Sequence, residues 1–139
     1  MTKRFQLLPE WAEQSSVLMA WPHASTDWQP WLQAIDQDYA ALATAISQEV
    51  PPLILCQDSE HKKHILSLLQ GRCDHSPRLV VLPYNDTWCR DYGPITLTDG
   101  SEAQRIVLGD WDQQGWYLEW DENGYQLIDF EIESYLANA

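Results

Sequence analysis

The chain has 139 residues, with 21 Asp and Glu against 8 Lys and Arg, for a formal net charge of −13. That length fits one domain, or a piece of one, and is enough to bury a core. The charge argues against a nucleic-acid partner, and the 45% hydrophobic share argues against general disorder. No apolar stretch approaches a membrane span, and no apolar run follows Met1-Thr-Lys-Arg to make a secretory signal. The three cysteines, Cys56, Cys73 and Cys89, are odd in number and irregularly spaced, which reads as a reduced, cytoplasmic protein.

In chain order, Ser16-Val-Leu-Met-Ala-Trp21 predicts a buried strand that stops at Pro22, and His23 to Trp28 a loop. Pro30 suits the first turn of a helix. Leu32, Ile35, Tyr39, Leu42 and Ile46 follow at spacings of three and four and define one apolar face. Leu53-Ile-Leu-Cys56 predicts a second buried strand. Asp58-Ser59 should cap a second helix, with Ile65, Leu66 and Leu69 inward and Gly71 as its stop. Arg72 to Pro77 reads as loop and Leu79 to Leu82 as a third strand. Ile95–Thr98 and Arg105–Leu108, joined by Asp99-Gly100-Ser101, predict a hairpin. Trp116–Trp120 and Tyr125–Phe130, around Asp121-Glu-Asn-Gly124, predict another. Residues 132–136 read as a short helix or a frayed tail. Alternating strands and helices followed by hairpins make the fold class α/β.

Between the third strand and the first hairpin lies Asn85-Asp86-Thr87-Trp88-Cys89-Arg90-Asp91-Tyr92-Gly93-Pro94. A run this polar predicts a turn at the end of an apolar strand, where α/β proteins tend to place chemistry. Asp91 is the first candidate. A carboxylate beside an indole can hold a planar guanidinium through paired hydrogen bonds while the ring packs on the cation, and Trp88 is near enough in sequence to supply that ring. Asp86 and Asn85 add acceptors or close an Asx-type turn. The chain has eight tryptophans in all, and the others are read as core or as site lining.

This motif resembles the N-terminal signature of the agmatine deiminases, a branch of the guanidine-modifying enzymes that includes bacterial peptidylarginine deiminases. Two further stretches carry the likeness. One is Leu8-Pro-Glu-Trp-Ala12 running into Val17-Leu-Met-Ala-Trp-Pro-His23, with Asp27-Trp28 after it. The weaker one is Asp110-Trp111 followed by Gly115-Trp116. The resemblance implies a partial pentein-type β/α propeller, about two of five ββαβ-type units around a central channel. It implies conversion of a guanidinium to a ureido group plus ammonia without metal or cofactor, and in agmatine deiminases this gives N-carbamoylputrescine on the route to putrescine. It assigns guanidinium holding to Asp91, and it places Trp88 and Trp21 near the substrate channel, with Asp86 and Asn85 as further substrate-binding residues.

The departures set the remaining expectations. Family members are more than twice this length, and their nucleophilic cysteine and proton-moving histidine lie in the C-terminal half. Here the last histidine is His75 and the last cysteine Cys89. Gln113-Gln114 and Tyr117-Leu-Glu119 depart from the family pattern. The expected organisation is therefore a deiminase-like part over residues 1–116 and a divergent acidic tail over 117–139, in a truncated or fused product. The expected partner is a small guanidinium cation, with self-association through uncovered apolar surface and no turnover by this chain alone. The alternative is a non-catalytic module that binds amines or a protein. His61 and His64, three apart with two lysines between, read as a solvated face rather than a metal site, and Cys73-Asp-His75 as a loop.

Overall fold

The computed structural model describes residues 5–100, 104–108, 114–121 and 124–131. They fall into two compact units, Glu13–Cys89 and a second formed by Met1–Ala12 with Arg90–Ala139. The chain as a whole combines helices and strands, and the first unit alternates them in chain order.

The first unit is a three-stranded parallel sheet with two helices. Strand β2 (Val17–Ala20), β3 (Pro52–Cys56) and β4 (Arg78–Val81) lie in the order β2-β3-β4, with Leu18 opposite Leu53 and Ile54 opposite Leu79. Helix α1 (Leu32–Ile46) joins β2 to β3 and α2 (Ser59–Leu69) joins β3 to β4. Parallel neighbours need such crossovers, because a tight turn cannot reverse the chain twice. Side chains alternate across a strand, so Ile54 and Cys56 share a face. There they meet Met19, Trp21, Ala40, Ala43, Ile65 and Leu69 in one buried cluster.

Both helices begin and end as their sequences imply. Gln29–Trp31 forms a 3-10 turn around Pro30 that feeds α1. The Asp58 side chain accepts the His61 backbone N–H at 2.8 Å and caps α2. Beyond α2, Gly71 takes φ +71°, which a side chain would resist. The buried faces match the expected ones except at one leucine on each helix, with Tyr39 and Ile46 of α1 packed against the core. On α1, Ala40 and Ala43 are fully buried while Leu42 is half exposed, because small residues let the helix sit close to the sheet. On α2, Ile65 and Leu69 are buried and Leu66 is 45% exposed. The loop 72–77 is tied down by Ser47, whose carbonyl accepts the His75 N–H at 2.9 Å and whose hydroxyl accepts that of Asp74 at 3.2 Å.

The second unit is a five-stranded antiparallel sheet of order β1-β5-β6-β7-β8. Its strands are β1 (Gln6–Leu7), β5 (Ile95–Thr98), β6 (Gln104–Leu108), β7 (Gln114–Asp121) and β8 (Gly124–Glu131). Both predicted hairpins are present. Thr98 pairs with Gln104 across the first and Asp121 with Gly124 across the second. Gly100, in the first turn, takes φ +84°. Strand β1, which pairs Gln6 with Thr98, was not expected, since two residues carry no readable period. A single helical turn, α3 (Cys89–Tyr92), replaces part of the expected turn in the motif and stops before Gly93-Pro94, where helix cannot continue. The tail expected at 132–136 lies outside the described residues. Among the described residues no helix is long and apolar enough to cross a membrane.

The burial pattern makes a direct prediction. Ile65→Ala is expected to destabilise the first unit by about 2–5 kcal/mol, and Leu66→Ala by about 1 kcal/mol or less. Urea denaturation followed by tryptophan fluorescence should rank the pair that way.

Candidate functional site

The strands β2 and β4 both deliver their C-terminal ends into loops that carry chemistry. Ligands of parallel α/β sheets sit at this end of the strands. The loop after β2 runs through His23 to Trp28, and the one after β4 through Tyr84 to Trp88. Together they line a cleft of about 300 Å³ formed by Asp27, Trp28, Asn85, Asp86, Thr87 and Trp88. No Lys, Arg or His is among these six residues.

Hydrogen bonds fix both walls and pin them together. The His23 backbone N–H lies 3.3 Å from Thr26 Oγ1, and the Thr26 hydroxyl donates to His23 O at 2.8 Å, which closes the turn. The His23 ring is buried. Its Nδ1 accepts the Ser25 N–H at 3.2 Å, so Nε2 carries the proton and donates to Tyr84 O at 3.0 Å. The Tyr84 hydroxyl sits between Trp21 O and Leu55 O, holding the ends of β2 and β3. Farther out, Trp28 Nε1–H donates to Thr87 Oγ1 at 2.9 Å. On the β4 side, Asp86 Oδ1 accepts the Trp88 N–H at 2.9 Å, the Asx-type turn that its sequence allows.

Each residue named from sequence thus has a place. Asn85, Asp86 and Trp88 lie together on the cleft, and Trp88 is 64% exposed. Asp91 is exposed on α3, on the far side of the division between Cys89 and Arg90. Trp21 is fully buried in the core; its Nε1–H donates to Asp36 Oδ1 at 2.7 Å and its ring meets Tyr39 edge-on at 5.5 Å. Asp27 and Trp28, read from sequence only as part of a resemblance, prove to be a wall of the cleft. The usable signal was their position just beyond a parallel strand.

Behind the cleft, burial raises the Tyr39 phenol pKa above its usual value; a hydrogen bond from the Thr87 side chain pulls it back and Cys89 pushes it up. Burial also pushes the Cys56 thiol up to about 11, with Lys62 lowering and Asp58 raising it, so Cys56 is no nucleophile at neutral pH. The Cys89 thiol points at Leu18 O, 3.5 Å away.

His64 is exposed, as expected, whereas His61 is half-buried, and both make hydrogen bonds within the fold. His64 Nε2–H donates to Asp36 Oδ2 at 2.7 Å, tying α2 to α1. His61 Nδ1 accepts the Gln57 N–H at 3.1 Å and its ring lies edge-on to His23 at 5.7 Å. Among the described residues no three His, Cys, Asp or Glu are arranged to hold a metal.

An α/β unit with an acidic, tryptophan-lined cleft at the ends of its parallel strands is the class of structure these residues define. The model of the Porphyromonas-type peptidyl-arginine deiminase family matches residues 6–135, and the chain belongs to that family. The agmatine deiminase of Ectopseudomonas mendocina is 28% identical over 137 residues, covering 91% of this chain and 36% of that protein. The solved C. jejuni agmatine deiminase superposes with a TM-score of 0.58 at 26% identity, covering 68% of this chain and 28% of that one. This chain therefore spans about a third of the length of such curated relatives. A different kind of match is the UDP-2,3-diacylglucosamine hydrolase of Pseudomonas putida, 60% identical over 36 residues, which is 26% of this chain and 15% of that protein. The deiminase and hydrolase shares of this chain together exceed the whole, so some residues are matched by both.

His61 generates a pH prediction. Burial, then the neighbouring His23 and His64, lower its pKa, with Asp58 and Asp36 opposing. The unfolded chain then binds more protons than the folded one just below the ordinary histidine value of about 6.5. Stability from this group is complete above that pH and falls as pH drops toward the lowered value. His61→Gln should flatten the dependence of the denaturation midpoint as pH falls below about 6.5.

Proposed function

We propose that this chain is the N-terminal part of a deiminase-type hydrolase, one that turns a guanidinium group and water into a ureido group and ammonia. The observation that carries the reading is the cleft. Asn85, Asp86 and Trp88, from the segment that resembles the deiminase signature, line one pocket with a second carboxylate and a second indole. The resemblance of the motif assigns guanidinium holding to Asp91, while Trp88 lines the cleft and Trp21 lies in the core. Two of five repeated units of a propeller is the architecture we infer. A chain spanning 36% of a curated deiminase is close to that share.

Turnover requires a thiolate and a proton carrier, and we assign neither role to this chain's cysteines or to His23, His61 and His64. Cys56 is buried and held as a thiol, Cys73 packs against the core and Cys89 faces a backbone carbonyl. His23, His61 and His64 are each engaged in structural hydrogen bonds. The chain alone binds cations and does not convert them. Three free cysteines support a reduced, cytoplasmic setting.

A second reading has its own observation. The 60% identity to a hydrolase of another kind far exceeds the 28% to a deiminase, and it occupies only 36 residues. We place those residues after Pro94, where the deiminase motifs thin out and Tyr117-Leu-Glu119 departs from the pattern. In this reading the chain joins a deiminase-like front to an end of another origin, although the family model itself extends to residue 135, and it works as an amine-binding module. Grafting its residues 104–139 in place of the matching segment of the P. putida hydrolase should leave that enzyme folded and active. Loss of both would contradict the join.

Two further outcomes are expected. Agmatine incubated with purified chain should yield no ureido product above buffer; product formation abolished by Asp91→Ala would overturn the proposal. Val80, Val81 and Leu82, at and just beyond the outer strand β4, are between 43% and 49% exposed. Such an apolar edge favours self-association. Sedimentation should show dimers or larger species at high concentration, whereas a clean monomer would count against it.

A further inference from the structure

Three imidazoles gather where the loop after β2 meets the start of α2. His23 is the innermost, with one ring nitrogen on the Ser25 N–H and the other on the Tyr84 carbonyl. The half-buried His61 ring stands edge-on to it, with the centroids 5.7 Å apart. His61 Nδ1 accepts the Gln57 backbone N–H at 3.1 Å, so its proton sits on Nε2, which makes no hydrogen bond among the described residues. Beside the pair lies a second cavity of about 230 Å³, lined by the three histidines and by Asp36, Asp58 and Glu60. Asp36 comes from α1, Asp58 from the cap of α2, and Glu60 and His64 from α2 itself. Tyr84, from the segment after β4, lies with its ring 4.7 Å from that of His23. The two lysines of α2 are engaged elsewhere, Lys62 on Leu79 O and Lys63 on Glu60.

We propose that the His23–His61 contact is an acid-sensitive latch: at neutral pH it holds residues 23–28 against the segment after β4, and in mild acid it releases that loop, one wall of the cleft, while the sheet and helices stay folded. Nδ1 of each ring accepts a backbone N–H, so a proton gained there turns an acceptor into a donor and breaks the bond. A charged His61 has better partners than a second imidazole, namely the carboxylates of Asp36, Asp58 and Glu60 around the cavity. Turning toward them uncovers His23, and water then competes for the Ser25 N–H and the Tyr84 carbonyl. Burial, and then His23 and His64, hold the His61 pKa below its ordinary value against Asp58 and Asp36, so the opened loop binds a proton more readily than the closed one. The release stays local. Met19, Ile54, Ile65 and Leu69 in the core do not titrate, and a protonated His64 still donates to Asp36 and ties α2 to α1. None of these steps needs a ligand, so the latch stands apart from the deiminase reading.

Hydrogen exchange of the full chain, read by NMR as protection factors between about pH 7.5 and about pH 5, tests the latch. Below about pH 6.5 the Ser25 amide and the Trp28 indole N–H should lose protection by up to about tenfold per pH unit, while the Ile54 and Ile65 amides keep theirs. His61→Gln retains an acceptor for the Gln57 N–H but cannot become charged, so in that variant Ser25 should stay protected throughout. His64→Gln should leave the transition in place; its loss there would make the His64–Asp36 pair the trigger and overturn the latch. Ser25 protection that is independent of pH in the unmutated chain, that disappears together with that of Ile54, or that falls in the same way in His61→Gln also overturns it. Should His61→Gln fail to fold, the unmutated chain decides: the His61 ring nitrogens and the Ser25 amide must titrate with one midpoint, and two separate midpoints contradict the proposal.

Discussion

The arrangement depends on one buried imidazole. His23 follows β2 directly, and its ring spans the gap to the segment after β4, accepting from Ser25 on one side and donating to the Tyr84 carbonyl on the other. Tyr84 in turn sets its hydroxyl against the carbonyls of Trp21 and Leu55. The ends of three parallel strands are thus linked through two side chains. Carbonyls and N–H groups that would otherwise end unpaired in a half-buried region are satisfied, and leaving such groups unmade costs about 1–3 kcal/mol each. The cleft is open at its rim and fixed at its base. A rigid base lets a small site hold its acceptors apart without first collapsing them.

That linkage explains how a chain spanning about a third of the length of its curated relatives can still present a formed cleft. The parallel sheet, its two helices and both cleft loops belong to a single compact unit, Glu13–Cys89. Asp91 does not, because the division falls two residues before it. The candidate guanidinium-holding carboxylate and the cleft therefore belong to different units of the chain.

Much of this was legible in the sequence where local rules dominate. The apolar runs before Pro22 and Pro83, the Asp58 cap and the Gly71 stop each rest on steric or hydrogen-bonding demands that hold in any context. Face assignments failed where packing distance mattered more than hydrophobicity. Leu42 looked like core, but Ala40 and Ala43 let α1 approach the sheet and left it outside; on α2, Ile65 and Leu69 take the core and Leu66 stays exposed. His61 and His64 looked solvated because their partners, Gln57 and Asp36, are brought to them only by the fold. The same holds for Asp27. Its neighbours on the cleft lie about sixty residues away, at Asn85 to Trp88, and nothing local announces them.

The most direct measurement of this account is the tautomer of His23. Long-range proton–nitrogen correlation spectra at neutral pH distinguish the two ring nitrogens. The structure requires an unprotonated Nδ1, because it faces the Ser25 N–H, and a protonated Nε2, because it faces the Tyr84 carbonyl. A single Nε2–H form is the predicted result. An Nδ1–H form, or a ring averaging between the two as a solvated histidine does, would mean the loops are not joined and the cleft is not preformed.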